Sequence, residues 1–392
     1  MLRLGLIGAL AILASFAPVR SQGSGSVYPS LVNTCGSGTP LLDVAVHFPT
    51  TAAGALVPRT GGWPVIVFLH GFNVLGYDYH YFGSALAAEG FIVVMANTAR
   101  TNYLELNDDA RSMPAALAAW NATPGHSLSG ALDIDRMGLM GHSMGGGVTA
   151  MTLASTDEYR CGLAIAPVHP GAVTLGVVEE PFGLLVGDGD AVTPWLSHSA
   201  PFFVDLGTAV GLRFLYLMDG RVDHINVVGL WQVGLSPIAV RSVLITAGWF
   251  HHMLEGTPDG LEQVLGQGAA NDAYRLQHFS QVLVPQTWAA APAKIGRSLR
   301  LSVACESGLG AVFGASSFVA GLPTPLGVLY LDPGSMFLVG LGVSADLQRI
   351  DIELPVPNNT SLIGVQLPLQ GLGTVTTDPL LLGSHLVLTV VQ

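Results

Sequence analysis

The chain has 392 residues, half of them hydrophobic and only 11% charged, with a formal net charge of -12. That length suffices for two domains or one large one, with a sizeable core under a sparsely charged surface. The acidity, without any Lys/Arg-rich run to offset it, argues against nucleic acid and anionic membranes as partners.

Arg3, the apolar run Leu4–Ala17 and the small residues Ala17 and Ser21 read as a secretory signal, cleaved near Ser21. The run is shorter than the about 20 apolar residues of a spanning helix, so export with removal is expected and no stable membrane insertion. Ser21–Ser37 reads as a Gly/Ser-rich lead-in, and Asp43–Phe48 alternates as an edge strand does. Pro64–Leu69 is a continuous apolar run, the mark of a strand buried on both faces. Tyr79–Glu89 is helix-like, Phe91–Ala96 is a second buried strand, and Asp108–Trp120 has helical spacing. Leu132–Met140 predicts a strand and Gly145–Leu153 a helix. Gly162–Ala166, Phe182–Val186 and Leu212–Met218 add strands, while Pro237–Leu254 and Leu261–His278 read as closing helices. Repeated strand–helix alternation predicts an α/β fold, a mostly parallel, doubly wound sheet covered on both faces.

Near residue 284 the texture changes. Pro285, Pro292 and several alanines mark a linker over 284–298, and from Leu299 short apolar runs are punctuated by Gly, Pro and Asn. That spacing predicts a small all-β sandwich over 299–392 after a catalytic domain over 22–283 and a signal over 1–21. Cys35, Cys161 and Cys305 allow one intramolecular disulfide at most, and no Cys/His spacing matches a zinc site.

The most informative stretch is Gly141-His-Ser-Met-Gly145, between the predicted strand and helix. Strand, Gly-x-Ser-x-Gly, helix is the context of a nucleophile elbow, in which a strained turn lifts the serine hydroxyl above the sheet edge. A serine hydroxyl needs a base within hydrogen-bond reach and a carboxylate to orient that base, here in the order serine, acid, histidine. Phe182–Val186 runs into a Gly-rich loop carrying Asp188 and Asp190. Asp190 is the expected acid, since Ala-Val-Thr-Pro follows it, and Asp188 reads as a turn carboxylate. A strand ending near Met218 delivers His224, the only histidine with both the order and the post-strand loop; Asp223 reads as a loop-stabilising neighbour. His169 and His198 are expected near the site as lining residues. His70-Gly71-Phe72 ends the first buried strand, so the N–H groups of Phe72 and Met144 are the expected oxyanion donors. Asn226–Pro237, with Trp231, is apolar and either borders the site or packs behind it.

These residues resemble the α/β-hydrolase superfamily, and within it the bacterial cutinase and polyester-hydrolase (PET-hydrolase-like) group, with a second likeness to dienelactone-hydrolase and chlorophyllase-type esterases. The likeness runs from about Val44 to Gln281 and is carried by Gly90-Phe-Ile-Val-Val-Met-Ala-Asn97, Gly141-His-Ser-Met-Gly-Gly-Gly147, Gly187-Asp-Gly-Asp-Ala-Val-Thr-Pro194 and Asp223-His224. It implies Ser143 as nucleophile, Asp190 as acid, His224 as base, and Phe72 and Met144 at the oxyanion hole and acyl-site floor. The group's tyrosine after the first strand is Phe72 here, which keeps the ring and loses the hydroxyl. Its tryptophan after the strand following the elbow is Val168, so one wall of that aromatic clamp is missing or is replaced by His169 or Trp195. The group's C-terminal cysteine pair is absent, and the tail around Ile352–Gly364 is similar to β-sandwich modules appended to secreted bacterial proteins.

The expected activity is that of a secreted serine carboxylester hydrolase working through an acyl-enzyme on apolar acyl esters, lipid or polyester, with no metal or cofactor. A non-catalytic secreted binding protein on the same fold is the rival reading, and a peptidase or other acyl hydrolase is a second. The C-terminal part is expected to bind a surface or partner rather than catalyse.

Overall fold

The continuous apolar runs become the centre of the molecule. A computed structural model describes residues 23–32, 35, 41–171, 175–207, 211–257, 259–306, 308–344, 349–375 and 380–392. The expected signal sequence lies outside the described residues. Strands β1 (Gly23–Val27), β2 (Ser30–Val32), β3 (Leu41–Thr50), β4 (Trp63–Leu69) and β5 (Ile92–Ala96) precede β6 (Leu132–His142), β7 (Gly162–Ile165), β8 (Phe182–Gly187), β9 (Leu212–Met218) and β10 (Arg275–Val282). They form one sheet in the order β1-β3-β5-β4-β6-β7-β8-β9-β10, with β2 paired to β3. From β5 through β4 and β6 to β9 all neighbours are parallel, and every residue of β4, β5, β8 and β9 is buried.

Helices α1 (His80–Ala88), α2 (Tyr103–Ala122), α3 (Met144–Leu153), α4 (Ser199–Asp205) and α5 (Pro237–Glu255) join these strands, with a short α6 (Gln267–Ala270) after them. Their ends carry readable signals. The Asn102 side chain caps α2 by accepting from the Leu104 N–H at 2.8 Å. Ser236 caps α5, Pro237 occupies its first turn, and Gly256 closes it in the left-handed conformation at φ 63°. Among the described residues no helix is long and apolar enough to cross a membrane.

Three sequence readings are corrected here. Asp43–Phe48 is not an edge, because part of the Gly/Ser-rich lead-in forms β1 and pairs antiparallel outside β3. Leu261–His278 is not one helix. It is broken at Gly266, just before α6, and from Arg275 the chain becomes β10, antiparallel to β9, with His278 stacked on Phe214 at 5.9 Å. Nor is 284–298 a plain connector. Gln286–Ala289 (β11) pairs with Ser298–Ala304 (β13), and Trp288 is fully buried with Leu261 and Val264.

The C-terminal region is all-β. A sheet of β11, β13 and Arg349–Pro355 (β18) faces one built from Ala293–Lys294 (β12), Leu309–Gly314 (β14), Phe337–Val343 (β17), Gln366–Gly373 (β19) and Leu381–Val391 (β20). The two share a core of Val303, Val312, Ile350, Leu369 and Leu386, and Phe318–Thr324 (β15) with Gly327–Leu331 (β16) adds a hairpin. Glu262 links this region to the α/β part by accepting from Trp288 Nε1 at 3.1 Å and pairing with Arg300. Arg349 Nη1 donates to the Leu265 carbonyl at 2.8 Å nearby.

Candidate active site

Ser143 stands between β6 and α3 at φ 56° and ψ -119°, a conformation that costs a non-glycine residue of order 1–3 kcal/mol and persists only where its surroundings enforce it. The enforcement is visible. Its N–H donates to the Ile165 carbonyl at 3.0 Å, and its carbonyl accepts from Val168 N–H at 3.0 Å. A Cβ on Gly141 would lie 2.3 Å from the Gly145 carbonyl oxygen, and one on Gly145 would lie 2.2 Å from the Leu69 carbonyl oxygen. Both positions therefore require glycine, and the pentapeptide spacing is a steric requirement of this turn.

Asp190 and His224 arrive from the ends of the two strands beyond β7. Asp190 Oδ1 accepts the N–H groups of Val192 and Thr193, each at 2.8 Å. Its Oδ2 accepts the Thr193 hydroxyl at 2.7 Å and lies 2.8 Å from His224 Nδ1. Burial alone would raise the Asp190 pKa, but the hydrogen bonds from His224 and Thr193 outweigh it and hold the carboxyl at about 2. His224 Nδ1 thus faces a carboxylate, and the ring lines the same cavity as Ser143. Asp188 instead accepts from Trp195 Nε1 at 3.0 Å, and Asp223 accepts the N–H groups of Ile225 and Asn226 in its own loop. Thr193 escaped the sequence reading, although its place three residues after Asp190 is the spacing of a capping hydroxyl.

The loop after β4 is braced from both sides. Gly71 N–H donates to Tyr79 Oη at 2.9 Å, and Asn73 N–H to the Arg100 carbonyl at 3.1 Å. Arg100 forks onto buried Asp109 at 2.8 and 3.0 Å and sends its own N–H to His70 Nε2 at 3.3 Å. Between these anchors the Phe72 N–H has no acceptor among the described residues, and neither has Met144 N–H at the start of α3. Two unsatisfied donors beside a serine hydroxyl suit a developing oxyanion.

The cavity holds about 230 Å³ and is lined by Gly71, Phe72, Val74, His142, Ser143, Val192, His224, Ile225, Leu230 and Trp231. Phe72 and Trp231 are 61% and 67% exposed, unusual for rings that size. Trp231 also sits at φ 58°, sterically costly for a bulky residue. The expected second wall lies elsewhere. Val168 reaches the elbow through its backbone; His169 bonds Asp205 at 3.0 Å and the Gly171 N–H at 3.0 Å; Trp195 stacks on Phe279 at 6.3 Å. His198 accepts the His169 N–H at 3.2 Å. The second exposed ring lining the cavity, Trp231, comes from the loop after His224, an apolar segment in the sequence.

His142, beside the serine, is buried with its pKa lowered to about 3, first by burial and then by neighbouring His224. His47, under α1, is lowered to about 3 by burial and by His80. Both are neutral in the fold, whereas the unfolded chain binds their protons below pH 6.5. The stability they contribute is complete above pH 6.5 and is lost as pH falls toward 3. At about 1.4 kcal/mol per pH unit for each histidine, urea unfolding at pH 5 should show a midpoint clearly below that at pH 7. An unchanged midpoint would contradict the burial of these neutral rings.

A family model described as PET hydrolase-like matches residues 21–230. The bis(hydroxyethyl) terephthalate hydrolase of Streptomyces coelicolor is 28% identical over 192 residues, 49% of this chain and 57% of the relative. Cutinase 2 of Thermobifida cellulosilytica and cutinase cut1 of Thermobifida fusca are each 29% identical over 138 residues, 35% of this chain and 52% and 42% of the relatives. The chain spans about half the length of the curated relatives it matches.

Proposed function

The chain belongs to the PET hydrolase-like family, and from that premise we propose that it is an exported serine carboxylester hydrolase acting through an acyl-enzyme on apolar acyl esters. The observation that carries the reading is the 2.8 Å contact of His224 Nδ1 with a buried, ionised Asp190, in a cavity shared with the strained Ser143. His224 uses its other ring nitrogen to take the Ser143 proton as the hydroxyl oxygen attacks the ester carbonyl. Asp190 fixes the ring and stabilises its cation. The Phe72 and Met144 N–H groups receive the oxyanion, the alcohol leaves with the proton from His224, and water hydrolyses the acyl-enzyme by the same steps. No metal or cofactor takes part in this sequence.

The relatives' names point to terephthalate esters and cutin, and the two exposed rings at the mouth fit a planar or long apolar acyl group. We assign catalysis to residues 22–283 and a surface-binding role to the β region that follows. A panel of p-nitrophenyl esters with acetyl, hexanoyl and benzoyl groups, together with bis(hydroxyethyl) terephthalate, tests the reading. Wild type should hydrolyse them, and Trp231→Ala should lose up to about tenfold in kcat/KM on the benzoyl ester, as an aromatic contact of about 0.5–1.5 kcal/mol predicts. Its loss on the acetyl ester should be smaller. Absence of hydrolysis across the panel would sink the assignment; an equal loss on all acyl groups would sink the role of Trp231.

A further inference from the structure

Tyr79 lies just before α1, fully buried against Phe68 at 4.7 Å. Its hydroxyl is one link in a chain of hydrogen bonds. Tyr79 Oη is 2.9 Å from Gly71 N and 2.9 Å from His142 Nδ1, and His142 Nε2 is 2.8 Å from the His224 carbonyl oxygen.

The proton positions follow from what each group is able to do. Gly71 N–H only donates, so Tyr79 oxygen accepts there and its own O–H must point to His142 Nδ1. His142 is neutral, so its one proton sits on Nε2, where the His224 carbonyl can only accept. Every donor and acceptor in the chain has one role and a partner.

The three anchor points are the parts of the site that must be held in register. Gly71 precedes the Phe72 N–H, His142 precedes Ser143, and the last link holds the backbone of His224 itself. These parts come from loops after β4, β6 and β9, which no covalent link joins locally. We propose that Tyr79 and His142 are positioning residues: they lock the oxyanion loop, the nucleophile and the base into one geometry. The inference rests on the roles of Ser143 and His224 proposed above.

Tyr79→Phe keeps the ring and removes the hydroxyl, leaving Gly71 N–H and His142 Nδ1 unpaired. Misplacement of a reacting group by about 1 Å costs about 100-fold in rate. With active sites counted by a fluorophosphonate, kcat on p-nitrophenyl butyrate should fall by about 10- to 100-fold, with KM within about twofold. His142→Gln keeps a donor for the His224 carbonyl but has no atom at the ring Nδ1 position to accept from Tyr79, so its kcat should fall too. Because both variants break one chain, the double variant should be little worse than the worse single one. Unchanged kcat per labelled site in Tyr79→Phe, or strictly additive losses in the double variant, would overturn the proposal. If Tyr79→Phe does not fold, His142→Gln decides alone: a kcat loss at constant KM supports it and an unchanged kcat overturns it. Wild type that neither labels nor hydrolyses would instead overturn the reading of Ser143.

Discussion

Ser143→Ala is expected to lower kcat on a p-nitrophenyl ester by about 10⁶-fold while leaving the unfolding midpoint close to wild type. The size follows from serine-hydrolase precedent, in which loss of the nucleophile removes the covalent route and leaves only binding and oxyanion stabilisation. Stability should change little, because the turn is held by backbone groups. The Ser143 N–H and carbonyl bonds to Ile165 and Val168, and the steric demands on Gly141 and Gly145, are untouched by losing one hydroxyl. The check is steady-state hydrolysis beside a urea titration of both proteins. Retained activity would remove Ser143 from the mechanism.

Asp190→Asn should cost about 10⁴-fold in kcat with the fold intact, and the structure gives the reason atom by atom. Oδ1 faces two N–H donors, from Val192 and Thr193. The asparagine carbonyl must take that place, since an amide NH₂ there would oppose both. The NH₂ then falls at the Oδ2 position, against His224 Nδ1. Nδ1 can no longer carry a proton toward it, so the proton moves to the other ring nitrogen, the one needed as base. The variant would hold a well-placed imidazole in the wrong tautomer. In the wild type the carboxyl is held at about 2, below its ordinary 3.8. Its contribution to stability is therefore complete above about pH 4 and is lost only as pH falls through 2. The fall in activity of Asp190→Asn, read by pH-dependent kcat/KM, should consequently appear across the whole neutral range. A loss under tenfold would mean that Asp190 does not set the histidine tautomer.

The contrast between what could and could not be read from the residues has a physical basis. The elbow was legible because two carbonyl oxygens exclude any Cβ at Gly141 and Gly145, so geometry writes itself into residue type. Asp190 and His224 were legible because their strands are continuous apolar runs, and the loops after such strands lie at one edge of the sheet. β1 was not, since Gly23-Ser-Gly-Ser-Val27 has the composition of a flexible lead-in and becomes a strand only by pairing with β3. β10 was masked by apolar residues compatible with either period, and its pairing with β9 decides the matter. Val168, His169 and Trp195 follow β7 and β8 in the chain, whereas the second ring lining the cavity, Trp231, comes from a different loop. Tyr79 reads as one more aromatic of a core helix, and only its two hydrogen bonds set it apart.

Ser143, as proposed, is a nucleophile activated by its surroundings. Intact-mass analysis after brief exposure to a fluorophosphonate, followed by peptide mapping, tests it most directly. One adduct per chain on Ser143, formed in parallel with loss of esterase activity and absent in Ser143→Ala, is the predicted result. Labelling of a different residue, or complete inactivation with Ser143 unmodified, would contradict it.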